Sequence, residues 1–236
     1  MRLNCFVAAT VAFAGLATSA AVQNDVTNLV DRGTTKPAAA PLVAGKGIFK
    51  NIKATQATWD PVKATCPGGR KRGLESRALP PGFFGVEVAM GTHNSHGVVP
   101  IGLYTDGLVT CFGIVIKGTA TSAKSDANTR WLFHMVASEA ASNWDDFQKN
   151  IEDAKLANMK GYMSLPAPAD IGSKVQGRTW NPAEQDLTNK MITSTKAALE
   201  KLTGHPPVIH MRSMQPPSSM QISGTGEVKA GDTVLV

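Results

Sequence analysis

Two residues that together make a minimal acyl-transfer engine stand on consecutive apolar stretches of the chain. Cys111 lies in Leu108-Val109-Thr110-Cys111-Phe112-Gly113-Ile114-Val115-Ile116, and His134 lies in Trp131-Leu132-Phe133-His134-Met135. A thiol near the start of one strand and an imidazole on the next can meet if the strands pair. The imidazole then generates a thiolate that attacks a carbonyl carbon, and a third group orients the ring. The same residues also fit a simpler account, a core histidine with satisfied nitrogens, and both readings stay open at this point.

The cysteines carry a competing chemistry. Of the three, Cys5 falls in an apolar leader, which leaves Cys66 and Cys111. Two cysteines in a secreted chain suggest a disulfide; it would close a loop of about 45 residues, worth about 4 kcal/mol in the chain-entropy model. Against a stapling role, Cys66 sits in a loose basic stretch whereas Cys111 sits in the most apolar strand.

Other candidates are thinner. His93-Asn94-Ser95-His96 is an HxxH with Asp106 nearby, yet two histidines in an expected loop lack the remaining ligands of a defined zinc site. His205 and His210 flank Pro206-Pro207 and read as a strand entry, and Trp144 reads as core. The chain contains no Gly-x-Ser-x-Gly, phosphate loop, dinucleotide fingerprint or N-glycosylation sequon. No metal and no cofactor is expected.

The elements that must position Cys111 and His134 occupy the later part of the chain. Residues 1–20 have one basic residue, Arg2, then an apolar run from Cys5 to Ala17, then small residues, the layout of a secretory signal peptide. That run is too short and too alanine-rich for a membrane anchor. Residues 21–72 form a basic, poorly ordered pro-segment or linker in this reading, since apolar residues such as Ile48, Phe49 and Ile52 make no sustained period. It contains Gly68-Gly69-Arg70-Lys71-Arg72-Gly73. The tribasic run Arg70, Lys71, Arg72 is a candidate cleavage site for a subtilisin-like processing protease, with a solvated basic loop as the alternative.

Charge divides along the same line. The chain carries +6, but residues 23–72 hold nine basic and three acidic side chains, whereas residues 73–236 hold 14 basic and 15 acidic ones. The globular part is therefore near neutral, which argues against a nucleic-acid-binding surface.

From residue 73 to residue 236 the texture is that of one globular domain. Apolar runs at 83–90, 97–104, 108–116 and 130–137 read as strands, those apolar on both faces being buried between layers. A capping-box-like start at Ser142-Asn143-Trp144-Asp145 opens a helix with a stripe of Trp144, Phe147, Ile151, Ala154 and Met159, ending before Gly161. Asn181-Pro182 opens a second helix that Gly204 stops. Strands at 208–214 and 219–223 and a short segment at 227–229 close the domain. This is an α+β pattern: a mixed or antiparallel, β-sandwich-like core with helices packed outside.

Thr105-Asp106-Gly107-Leu108-Val109-Thr110-Cys111, followed by an apolar strand and then a histidine-bearing strand, resembles the cysteine glutamine-deamidase superfamily. That group includes CheD-like chemoreceptor deamidases and the catalytic domains of cytotoxic necrotizing factors. The later order, helix, helix and two strands ending near Gly226-Glu227-Val228, is similar too. The resemblance covers the layout from about residue 84 to residue 229. It departs at Thr110, where a small Gly or Ser is usual, and in the length of chain between Cys111 and His134, which the polar stretch 117–129 accommodates.

The resemblance implies catalytic roles for Cys111, His134 and Thr105. Cys111 attacks the side-chain amide of a protein glutamine, His134 protonates departing ammonia, Thr105 orients the imidazole, and water hydrolyses the thioester to leave glutamate. An amine in place of water would give transglutamination. The expectation is thus a secreted, toxin- or effector-like amidohydrolase acting on a protein with an exposed glutamine, without nucleic-acid partner or membrane anchor, and taken as a monomer. The alternative is a non-enzymatic secreted interaction protein with a structural Cys66–Cys111 disulfide. A bridge that keeps the thiol blocked until the basic segment is cut and the disulfide reduced joins the two.

Overall fold

The computed structural model describes residues 39–64, 85–97, 100–121, 128–139, 143–167, 174–175 and 177–236. Ala40–Val236 form one compact unit. The signal-like leader, Cys66 and the Arg70-Lys71-Arg72 run lie outside the described residues.

The described chain opens with a small antiparallel hairpin, β1 (Leu42–Ala44) and β2 (Lys53–Thr55), around a 3-10 turn, and continues into helix α1 (Gln56–Ala64). Strands β3 (Val86–Glu87), β4 (His93–His96), β5 (Leu103–Leu108), β6 (Phe112–Ala120) and β7 (Arg130–Met135) come next, followed by helix α2 (Trp144–Ala154) and strand β8 (Leu156–Pro166). A short pair, β9 (Lys174–Val175) and β10 (Arg178–Thr179), precedes helix α3 (Pro182–Thr203). Strands β11 (Val208–Arg212), β12 (Ser218–Ile222), β13 (Val228–Ala230) and β14 (Thr233–Leu235) complete the chain.

Two five-stranded sheets form the centre, ordered β11-β8-β6-β7-β4 and β14-β13-β12-β5-β3. All neighbours are antiparallel except β11 with β8 and β3 with β5. The alternation of side chains along a strand decides the layering. On β6, β7 and β8, Val115, Leu132 and Tyr162 pack with Leu103, Leu108, Met220, Ile222 and Val228 of the second sheet. Their neighbours Ile114, Ile116, Trp131, Phe133, Met163 and Leu165 pack on the opposite face with α2, α3 and the N-terminal segment. The fold is therefore α+β, two mixed or antiparallel sheets face to face with helices outside.

Helix α3 forms where its ends are specified locally. Asn181 accepts from the Glu184 backbone N–H at 3.0 Å, Glu184 returns a bond to the Asn181 N–H at 3.1 Å, Pro182 occupies the first turn, and Gly204 closes the helix at φ 76°. The start of α2 differs from expectation. The Asn143 side chain makes no cap bond and instead donates to the Gly91 carbonyl, tying the helix start to the turn before β4.

Three further expectations are corrected. Residues 39–64 are not a loose linker: Phe49, Trp59 and Val62 are fully buried and Ile52 nearly so, in the same core as α2 and α3. These residues show no period because a hairpin, a turn and a short helix each contribute only one or two of them. Second, the helical stripe taken as far as Met159 stops at Ala154. Lys155 adopts φ 48°, a left-handed stop, and Leu156–Pro166 run instead as an inner strand of the first sheet, between β11 and β6. Third, the His93–His96 loop is strand β4, paired to β7.

Candidate functional site

β6 and β7 are antiparallel neighbours, with Gly113 opposite His134 and Phe112 opposite Met135. Cys111 directly precedes β6, two residues before Gly113, and belongs to the apolar layer between the sheets. His134 shares its strand face with Leu132, which packs in the same apolar layer as Cys111, so both residues border that layer. Gly113, between them and the second sheet, has no room for a side chain: a Cβ there would stand 2.9 Å from both Leu108 Cδ1 and Met220 Sδ.

The second sheet supplies the third residue. Thr105, on β5, places its Oγ1 2.7 Å from His134 Nδ1 and donates its hydroxyl hydrogen to the Val88 carbonyl at 2.7 Å. A hydroxyl has one hydrogen, so the Thr105 oxygen is the acceptor towards the ring and Nδ1 carries the proton. The neutral imidazole therefore keeps its lone pair on Nε2. That atom is buried and makes no hydrogen bond among the described residues. Burial, then the positive charge of Arg212, pushes the His134 pKa down from 6.5 to about 4.

Arg212 is the residue that sequence reading missed. It ends β11, is 4 % exposed, and donates from Nη1 to the Val109 carbonyl at 2.7 Å and from Nη2 to the Cys111 carbonyl at 2.5 Å. The guanidinium thus clamps the turn on both sides of Thr110. A buried arginine among Val208–Met214 carried a signal, since arginine is rarely inside without partners, but its partners are about a hundred residues away in sequence. Ser164, opposite Gly113 on β8, was also missed; its Oγ is buried and makes no hydrogen bond among the described residues.

The site is closed. Cys111 is 0 %, Thr105 1 % and His134 3 % exposed. Cys111 is disulfide-bonded, and Cys5 and Cys66 lie outside the described residues. The end of α1 reaches the same turn, where Thr110 Oγ1 lies 3.4 Å from the Val62 carbonyl. The open recess of about 210 Å³ beside β2 and α3 is lined by Ile52, Thr58, Leu187 and Lys190 among others and includes none of these groups.

The HxxH pair does not converge. Positions three apart on a strand point to opposite faces. His93 packs against Trp131, Phe133 and Phe147 on the helix-covered face, where burial lowers its pKa. Among the described residues, no group of three or more His, Cys, Asp or Glu side chains could hold a metal ion, and no helix is long and apolar enough to cross a membrane.

Cys111, His134 and Thr105 thus border one layer, with the Thr105–His134 contact made directly and the neutral imidazole carrying its proton on Nδ1. Protein-family models and curated proteins return no match to this chain.

Proposed function

We propose that this chain is a secreted cysteine amidohydrolase of the protein-glutamine deamidase type, held latent by oxidation of Cys111 and acting as a toxin or effector on a protein of another cell. The observation that carries this reading is the Val88–Thr105–His134 relay, which leaves an unprotonated Nε2, without a hydrogen bond among the described residues, in the layer that also holds Cys111. A relay of this kind orients the base of a cysteine nucleophile.

Activation begins with a small thiol such as glutathione, or a dithiol protein, reducing the disulfide. His134 Nε2 takes the Cys111 thiol proton as sulfur attacks the side-chain amide carbon of glutamine. The tetrahedral oxyanion is held by backbone N–H groups near Cys111. The imidazolium then gives its proton to the leaving nitrogen, ammonia departs and a thioester remains. Water, deprotonated by Nε2, attacks the thioester; the proton returns to sulfur and glutamate is released.

Cys66 is the proposed disulfide partner, because α1 ends beside Thr110 and two more residues span at most about 7 Å. Cleavage after Arg72 would leave this bridge and the docked segment in place, so reduction rather than loss of the pro-segment would unblock the thiol.

The test is mass spectrometry of target-cell proteins treated with reduced protein. Gln-to-Glu conversion that disappears in Cys111→Ser and His134→Ala is the expected result; no conversion by the reduced wild type sinks the reading. The second reading, a secreted interaction protein with a structural disulfide, is favoured by the complete burial of the oxidised Cys111. It requires that the reduced protein shows no amidase activity.

A further inference from the structure

A permanently charged side chain buried at the base of the candidate nucleophile calls for a reason. Arginine keeps its charge under all ordinary conditions, and burying it costs free energy unless its donors are satisfied. The two carbonyls that accept from Arg212 flank Thr110 and include that of Cys111 itself. A second buried guanidinium in this sheet, Arg130 of β7, also donates to carbonyls, those of His96 and Ser223, but Arg212 is the one whose acceptors include the cysteine itself.

We infer that Arg212 is the positioning residue of the nucleophile turn: its guanidinium fixes the 109–111 backbone and supplies the standing positive charge that favours the Cys111 thiolate in the reduced protein. This deepens the amidohydrolase reading, resting on Cys111 as its nucleophile, but makes a claim about the thiol that needs no substrate to check.

Among the described residues, Arg212 is the buried permanent cation at this turn. β7 brings His134 and β11 brings His210 with Arg212; β5 brings the neutral Thr105, its neighbour Asp106 being exposed; β12 and β8 bring Met220 and Ser164. α1 brings Lys63, which is half exposed and pairs with Glu139 at 3.9 Å. Both nearby imidazoles, His134 and His210, are lowered by burial first and by Arg212 second, so the charge reaches the layer on both sides of β8. A field that disfavours imidazolium favours thiolate at the same place. The backbone clamp and the charge come from one side chain.

The experiment follows the ultraviolet absorbance of the thiolate against pH in the full chain carrying Cys5→Ser and Cys66→Ser, which leaves Cys111 as the sole thiol. Arg212→Met is expected to raise the midpoint by about one pH unit, a roughly tenfold loss of thiolate at neutral pH, and Arg212→Lys to retain most of the wild-type value. A midpoint in Arg212→Met equal to wild type overturns the inference. Should Arg212→Met not fold, His134→Ala decides: a thiol still ionising below the ordinary value of about 8.5 supports Arg212 as the charge source, and one at or above it overturns it. Absence of glutamine conversion alongside a depressed thiol midpoint removes the functional reading and leaves Arg212's role standing.

Discussion

Thr105 and His134 meet across the space between the two sheets, hydroxyl oxygen to Nδ1 at 2.7 Å, although 29 residues separate them in sequence. The hydroxyl passes its own hydrogen on to the Val88 carbonyl, so the contact fixes both the direction of the ring and the nitrogen that holds its proton. The orientation and tautomer of this imidazole thus depend on the second sheet as much as on its own strand.

Thr105→Val keeps the shape and removes the hydroxyl, leaving the Val88 carbonyl and His134 Nδ1 unpaired in a buried layer. Unfolding in urea is expected to show a loss of about 1–3 kcal/mol, while Thr105→Ser stays near wild type. Equal stability of the Val variant would mean the relay contributes nothing to the fold.

Acid should weaken the protein through His134. The folded pKa lies below 6.5, so the unfolded chain binds the extra proton first; the histidine's contribution is complete above about pH 6.5 and is lost as pH falls to about 4. The loss is on the order of 3 kcal/mol. His93 and His210 are also lowered and act in the same sense. Stability of His134→Gln measured across this window should fall less steeply than that of wild type; parallel curves would contradict the shift.

Trp59 is wholly buried, and its indole N–H donates to the Val43 carbonyl at 3.3 Å. Trp59→Ala is expected to cost about 3–5 kcal/mol in chemical denaturation. After cleavage at Arg72 and reduction, the fragment carrying residues 39–64 should still co-elute with the rest in gel filtration without denaturant. Its release would show that the segment is a separable pro-piece.

The disulfide makes a sharp distinction between cysteines. Non-reducing peptide mapping should lose the Cys111 bridge in Cys66→Ser and retain it in Cys5→Ser. The Cys66→Ser protein should be less stable by about 4 kcal/mol or somewhat under. Retention of the bridge in Cys66→Ser would exclude the proposed pairing.

The limits of helix α3, from the Asn181 cap to Gly204, the apolar strands around Cys111 and His134, and the α+β character follow from local signals: caps, short-range periods and glycine stops. These are physical properties of neighbouring residues, so the chain states them wherever it folds. That the stretches bearing Cys111 and His134 lie side by side was legible because consecutive apolar strands need only one hairpin to pair. Tertiary structure decided the rest. Whether Phe49, Ile52, Trp59 and Val62 are loose or core depends on an uncovered sheet face formed far along the chain, and whether Leu156–Pro166 is helix or strand depends on two strands waiting on either side. Arg212 could be understood only once the carbonyls of Val109 and Cys111 stood beside it, because the partner of a buried charge is set by packing and not by spacing.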